Sequence, residues 1–132
     1  AGAAGGIGYA FMMFLNGMLR PGIDIVLDEI GLEEKITQAD LVITGEGRLD
    51  AQTLMGKTPA GVASLAKKYH KRVLAIAGCF GDDVIQCKQS GLFDDCLAVK
   101  DILSEQEQIH AMEKRNATAH LQKLVKQYFV NW

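Results

Sequence analysis

The chain of 132 residues has few of the features that mark specialised protein classes. Its 14 lysines and arginines are balanced by 16 aspartates and glutamates, and the formal net charge is -2. The excess of positive charge that nucleic-acid-binding proteins use is therefore absent, and we expect no nucleic-acid partner. The three cysteines are odd in number and form no CxxC pair, so neither a disulfide framework nor a zinc site is indicated. Reduced thiols are typical of a cytoplasmic protein, which is the location that we predict.

A long apolar run is also missing. Residues 7–19 are apolar and rich in methionine, but they are too few to span a bilayer and follow no basic segment of a signal peptide. We therefore predict no membrane association and a buried helix over this stretch. Without a partner, its residues 11–15 could drive homo-oligomer formation.

The hydrophobic pattern predicts alternating strands and helices. Residues 40–44, 72–77 and 94–99 are short apolar runs typical of strands buried on both faces, and residues 59–69 and 83–90 between them have helical spacing. Further helices are predicted at residues 23–30 and 33–39, and a long one begins after the capping sequence Ser104-Glu-Gln-Glu. This order predicts an α/β fold, Rossmann-like, with a short parallel sheet of about three strands, flanking helices and right-handed crossovers.

Ligands of open α/β sheets bind outside the carboxyl ends of the strands. Three loops are expected at that edge: residues 44–58, 78–83 and 100–101. The first lies within TGEGRLDAQTLMGKTP, residues 44–59, and is the longest and most polar of the three. We therefore expect the functional site there.

This stretch resembles a phosphate-binding loop only in part. The pattern GxxxxGK[ST] would need glycine at Ala51, although Gly56, Lys57 and Thr58 match. Such a loop should also leave its strand directly, whereas we expect the strand to end near Thr44, seven residues too early. What remains is a helix N-terminus that could bind an anion together with Lys57. The alternative is that Thr58 merely caps the helix.

The carboxylates Glu46 and Asp50 flank Arg48 at a spacing of two residues, so an extended backbone would turn all three side chains the same way. Such a cluster could hold Mg²⁺, take a proton from a hydroxyl group, and bind a substrate carboxylate through the arginine. The alternative is a solvated ion pair of little energetic value.

Four segments of the sequence together resemble a known family. They are GAAGG-x-G at residues 2–8, RPGIDIVLD at 20–28, ADLVITGEGRLD-x-QT-x-x-GKTP-x-GVA at 39–63, and IAG at 76–78. These segments resemble the C-terminal part of the type 1 glycerate kinases, and the resemblance runs through nearly all of the chain. Members commonly carry glycine where this chain has Ala51, so the chain departs from the family's pattern at this position.

The resemblance implies an enzyme that uses ATP and Mg²⁺ to phosphorylate glycerate, giving 2-phosphoglycerate in the usual member. Family members are longer two-domain α/β proteins whose site lies between the domains. We therefore expect residues 1–132 to be a single α/β unit, a C-terminal fragment of a larger kinase, with residues 1–22 bordering or belonging to the second domain. The start of the chain inside a glycine motif, without an initiator methionine, fits this expectation. The rest of the kinase chain would be its partner, and the fragment alone would be inactive.

The resemblance also implies site residues. We assign Glu46, Arg48, Asp50 and Lys57 to catalysis: Lys57 for phosphate, Arg48 for the glycerate carboxylate, and Glu46 or Asp50 for Mg²⁺ or proton removal. The residues expected to bind substrate or phosphate are Gly45, Gly47, Gln52, Thr53, Gly56 and Thr58, with Gly2, Gly5 and Gly6 of the first motif. Tight helix packing is the alternative explanation for these last glycines. The alternative function is a stand-alone, non-catalytic module that binds an acidic metabolite or a nucleotide.

Overall fold

A parallel sheet of three strands lies at the centre of the fold, in the order β1 (Leu41–Leu49), β2 (Arg72–Phe80) and β3 (Asp95–Ala98). The computed structural model describes residues 3–109 and 114–130. The predicted α/β fold with a three-stranded parallel sheet and flanking helices is confirmed. The helices are α1 (Ile7–Leu15), α2 (Gly22–Glu29), α3 (Leu32–Gln38), α4 (Thr58–Lys68), α5 (Ile85–Gln89), α6 (Glu105–Ile109) and α7 (Lys114–Phe129), with short 3-10 helices at Ala3–Gly6, Ala51–Leu54 and Val99–Ile102.

The core lies between the sheet and helix α4. Strand β2 is central, and its Val73, Ala75 and Ala77 are buried in the same cluster as Ala63 and Ala66 of α4. Small side chains on both elements let the helix approach the sheet closely, which is how α/β layers bury their shared apolar surface. The helix therefore holds its N-terminus at the carboxyl edge of the sheet.

The first two strands are longer than the sequence predicts. We expected β1 to end near Thr44 and β2 at Ala77, but they continue to Leu49 and Phe80. The extensions are rich in glycine, which lowers strand propensity, yet the parallel ladder pairs them in one register. A Cβ atom at Gly45 would lie 2.3 Å from the carbonyl oxygen of Ile76, so the close approach itself requires glycine there.

Helix α1 differs from its prediction. It ends at Leu15, where Asn16 adopts a left-handed conformation, and none of its residues is buried. The expectation of a buried helix over residues 7–19 is therefore wrong, because no described element of the chain covers it. Phe14 is 83% exposed. Among the described residues, no helix is long and apolar enough to cross a membrane.

The C-terminal region contains two described helices, α6 and α7, where the sequence predicts one long helix; residues 110–113 between them lie outside the described part. The predicted cap is confirmed: Ser104 N–H donates to Glu107 Oε2 over 2.8 Å, and Glu107 N–H donates to Ser104 Oγ over 3.3 Å. The Ser104 N–H group, then Lys123 and the Ser104 hydroxyl, lower the pKa of Glu107 to about 2.

Candidate active site at the carboxyl ends of β1 and β2

The polar residues of the predicted site stand where β1 ends. After Leu49, residue Asp50 opens the 3-10 helix Ala51–Leu54, and Gly56, with a φ of 87°, turns the chain into α4. A positive φ of this size favours glycine, which explains Gly56 without a ligand. The neighbouring strand β2 ends beside β1, so the loop after Phe80 forms the second side of the site.

Asp50 is the centre of the charge cluster. Its Oδ2 lies 3.5 Å from Arg48 Nε, and its Oδ1 lies 3.8 Å from Lys57 Nζ. The Asp50 side chain is only 16% exposed, whereas those of Arg48 and Lys57 are 60% and 41% exposed. Pairs this open to solvent add little stability. Their effect is to hold two cationic groups on either side of one carboxylate, facing solvent.

Lys57 belongs to the same cluster as Arg48 and Asp50. From the sequence, Lys57 and the helix start were predicted to form one ligand region, and Glu46, Arg48 and Asp50 another. The ion pair between Lys57 and Asp50 joins the two regions. Gln52 also contributes, since its backbone N–H donates to Asp50 Oδ1 over 3.0 Å. Gln52 is exposed, so a ligand could reach its side chain.

Glu46 is connected to this cluster through Thr53. The Thr53 hydroxyl donates to Glu46 Oε1 and accepts from the Asp50 N–H group over 3.2 Å. Thr53 is fully buried, so its hydroxyl links two site residues and does not face solvent. The structure therefore places Thr53 behind the residues that a substrate could contact.

The turn after β1 is not a phosphate-binding loop. The expectation that its strand ends too early is wrong, because β1 reaches Leu49. The reason lies in the turn itself: backbone N–H groups that should surround a phosphate already donate to protein oxygens. Those of residues 51, 52, 53 and 55 donate to Asp83 Oδ1, Asp50 Oδ1, the Asp50 carbonyl and the Gln52 carbonyl.

The N-terminus of α4 lacks a side-chain cap. The helix begins at Thr58, with Pro59 in its first turn, and the cap position is held by Lys57 with no side-chain hydrogen bond among the described residues. The alternative in which Thr58 caps the helix is therefore wrong. The first N–H groups of α4 have no intrahelical acceptor and carry partial positive charge beside the Lys57 ammonium group.

The predicted glycines differ in what they do. Gly45 is explained by sheet packing, whereas no atom lies within 4 Å of a Cβ atom added at Gly47. Gly5 and Gly6 have positive φ values of 66° and 83°, which explain their identity locally. Neither lines the groove that contains Glu46. The remaining prediction, Gly2, lies outside the described residues.

An open groove of about 850 Å³ runs along β1 towards this site. Helix α2 lines one side with Ile23, Val26 and Leu27, and Glu46, Lys57 and Thr58 stand at the polar end. The described residues contain no group of three or more His, Cys, Asp or Glu side chains that could hold a metal ion. A metal here would depend on one or two carboxylates together with oxygens of a ligand.

Three residues on the β2 side of the site were not predicted from the sequence. Gly81, Asp83 and Cys87 all contact the segment from Leu49 to Ala51. The only available signal was that residues 78–83 follow the strand next to β1.

The comparisons with known proteins agree with the motifs. A sequence model of the Glycerate kinase family matches residues 1–130. Glycerate 2-kinase of Escherichia coli K12 is 55% identical over 92 residues, which are 70% of this chain and 24% of that protein. Glycerate kinase of Neisseria meningitidis is 38% identical over 122 residues, 92% of this chain and 31% of that protein.

A solved structure extends the likeness to the fold. It is a protein of Salmonella typhimurium LT2 assigned as glycerate kinase 2, with a TM-score of 0.57, 41% identity, and coverage of 92% of this chain and 32% of that one. The chain thus spans about a quarter to a third of the length of these relatives. By its sequence and its fold, the chain belongs to the glycerate kinase family.

Proposed function

We propose that these residues form one side of the active site of a cytoplasmic glycerate kinase, which transfers a phosphoryl group from ATP to glycerate and yields 2-phosphoglycerate. The observation that carries the proposal is the Asp50 carboxylate, which lies within 4 Å of both Arg48 and Lys57 beside the start of α4. Both substrates are anions, and this arrangement holds two cationic groups beside one mostly buried carboxylate.

Arg48 suits the glycerate carboxylate. Its guanidinium group is mostly exposed, and its Nε faces Asp50, so the other nitrogens remain able to donate to a ligand. A planar guanidinium binds a carboxylate through two parallel hydrogen bonds. We therefore assign Arg48 to orienting glycerate.

Lys57 and the start of α4 suit the phosphates of ATP. The lysine adds a point charge where the first N–H groups of the helix are free of side-chain caps. Thr58 is exposed at the same place and offers a hydroxyl group. We assign these groups to phosphate binding, with Gly47 leaving room for a ligand to approach the backbone.

Glu46 fits Mg²⁺ better than Asp50 does. Within the described part of the chain, Glu46 pairs with no cation, and its Oε1 accepts only the Thr53 hydroxyl, whereas Asp50 already faces two cations. A magnesium site made of one carboxylate and phosphate oxygens is common in phosphoryl-transfer enzymes. When bound, Mg²⁺ would neutralise charge on the transferring group.

The protein contributes little covalent chemistry to this reaction. The hydroxyl oxygen of glycerate forms a bond to the γ-phosphorus of ATP, the bond from that phosphorus to the bridging oxygen breaks, and ADP leaves. The hydroxyl proton moves to a carboxylate, for which Glu46 and Asp50 are the candidates. The side chains contribute position and charge, which supply most of the catalysis in phosphoryl transfer.

The remaining parts of the site would come from the longer protein. Helix α1 exposes apolar side chains that need a partner, such as Phe14 and Leu15. We propose that the rest of the kinase chain covers them, and that residues 1–132 alone bind substrates poorly, do not turn over, and self-associate through α1.

The test compares residues 1–132 with the full native chain that carries them. Each is incubated with Mg-ATP and glycerate, and the product is identified by phosphorus NMR. We expect 2-phosphoglycerate from the full chain only. Formation of 3-phosphoglycerate would contradict the proposed product, and full activity of residues 1–132 would contradict the partial site. Binding of both ligands without turnover in the full chain would favour the non-catalytic binding module.

A further inference from the structure

The loop after β2 holds the backbone on both sides of Asp50. The Gly81 N–H donates to the Leu49 carbonyl over 2.8 Å, and the Ala51 N–H donates to Asp83 Oδ1 over 3.2 Å. Between them, the Cys87 thiol lies 3.0 Å from the Asp50 carbonyl oxygen. Three consecutive residues of the turn are thus attached to one loop and the helix that follows it.

Gly81 also provides the space for the charge pair. A Cβ atom there would lie 2.7 Å from the Asp50 Cβ, 3.1 Å from Arg48 Nε and 3.2 Å from Arg48 Nη2. The backbone of Gly81 is outside the left-handed region, so its conformation does not demand glycine. Glycine is required because the Arg48 and Asp50 side chains pack directly over this position.

Cys87 is suited to donate to Asp50 at neutral pH. It is fully buried, and burial, followed by the nearby carboxylates of Asp50 and Asp83, raises the pKa of its thiol. The sulfur therefore keeps its hydrogen, which the Asp50 carbonyl accepts. A reactive or metal-binding role would require the thiolate instead.

We propose that Gly81, Asp83 and Cys87 are positioning residues that fix where the Asp50 carboxylate stands, and through it where Arg48 and Lys57 meet their ligands. This inference rests on the proposed function of Arg48 and Lys57. None of the three residues is placed against a substrate. They act by holding the backbone of residues 49–51 and by leaving room for one guanidinium group.

A double-mutant cycle in the full native chain tests the role of Gly81. Because the added methyl group displaces both Asp50 and Arg48, we expect Gly81→Ala to raise the KM for glycerate roughly tenfold and the KM for ATP by a smaller factor, since Lys57 does not touch Gly81 directly. In an Arg48→Ala background, Gly81→Ala should have almost no further effect on that KM. An equal rise in both backgrounds would overturn the proposal, and Asp82→Ala, on the same loop but exposed, is the matched control.

Conservative pairs test the other two residues and do not depend on Gly81→Ala folding. Asp83→Asn keeps an oxygen for the Ala51 N–H, and Cys87→Ser keeps a donor for the Asp50 carbonyl. Both should retain the kinetic constants within about threefold, whereas Asp83→Ala and Cys87→Ala, which remove the contacts to Ala51 and Asp50, should raise the KM for glycerate. Equal constants for Asp83→Asn and Asp83→Ala would contradict the role of Asp83.

A readout without substrate separates this inference from the proposed function. The NMR resonance of the Arg48 Nε–H group should shift in Gly81→Ala and Asp83→Ala and stay in place in Asp82→Ala. If the full native chain makes no phosphoglycerate but the resonance shifts as expected, the function fails while the positioning stands. If the resonance is unchanged in both variants, the positioning is wrong whatever the activity.

Discussion

The Nε atom of Arg48 lies 3.5 Å from Oδ2 of Asp50, with both residues at the carboxyl end of β1 and Gly81 directly beneath them. Arg48 and Asp50 are only two residues apart in the sequence, yet the loop after β2 sets how their side chains meet. Because the arginine is exposed and the aspartate mostly buried, the pair orients the guanidinium group towards solvent and adds little to stability.

Arg48 and Lys57 should affect different substrates. In the full native chain, we expect Arg48→Ala to raise the KM for glycerate about 10- to 100-fold and leave that for ATP near its original value. Lys57→Ala should do the reverse, since we assign its ammonium group to the phosphates of ATP. Steady-state kinetics with each substrate varied in turn measures both effects. An unchanged KM for glycerate in Arg48→Ala would exclude the carboxylate assignment.

Thr53 should matter for stability. Thr53→Val leaves Glu46 and the Asp50 N–H group without their buried hydroxyl partner, and we expect the free energy of unfolding to fall by about 1–3 kcal/mol. Urea denaturation followed by circular dichroism measures the change. Thr53→Ser keeps the hydroxyl and is the matched control; equal losses in the two variants would show that the hydroxyl is not the cause.

The hydrogen bonds around Glu107 should make local stability depend on pH. Its pKa is lowered from an ordinary value of 4.5 to about 2, so the stabilisation is complete above about 4.5 and is lost as the pH falls towards 2. Carbon NMR of the Glu107 carboxyl group measures the titration. Lys123→Ala removes one partner and should raise this pKa towards 4.5; a titration midpoint near 4.5 in the unmodified chain would contradict the geometry of the cap.

The three cysteines should differ in reactivity. Burial raises the pKa of the Cys96 thiol to about 11, and burial also raises that of Cys87. At about pH 8 the fraction of thiolate at both residues is then very small, so iodoacetamide should label the half-exposed Cys79 first. Mass spectrometry after brief labelling identifies the sites, and labelling in urea shows that all three can react. Early modification of Cys87 would contradict its buried position.

Helix α1 should promote association of residues 1–132. Covering each exposed side chain of α1, such as Phe14 or Met13, stabilises the complex by about 1.5–3 kcal/mol. We expect Phe14→Glu and Met13→Glu to shift the protein towards monomer in sedimentation experiments. Met55→Glu, at a residue 81% exposed elsewhere on the surface, is the matched control. Equal effects of all three changes would show that α1 is not the contact.

Several features follow from local sequence pattern. The alternation of buried apolar runs with helical periods defines the order of strands and helices, because those periods report which faces are buried. The capping sequence at Ser104 depends on residues close in the chain, and it is as expected. The motif from Ala39 to Ala63 indicates the family from the sequence alone.

The lengths of the strands and the state of the first helix depended on distant residues. Local propensity ends β1 near Thr44, but pairing with β2 extends it to Leu49, since the ladder satisfies the backbone of a glycine-rich segment. Whether α1 is buried depends on what covers it, and no described element of this chain does.

The sequence by itself therefore determined the fold class, the family, and the edge of the sheet at which the polar residues gather. Only the tertiary structure decided that Asp50 joins Arg48 to Lys57, that Thr53 is buried behind Glu46, and that the N–H groups of the turn are already used. The physical reason is that these side chains lie on one short segment, residues 46–57, whose backbone is held by Gly81, Asp83 and Cys87, more than thirty residues away in the chain. No local pattern encodes a distance between such segments, and parallel pairing of the two strands supplies it.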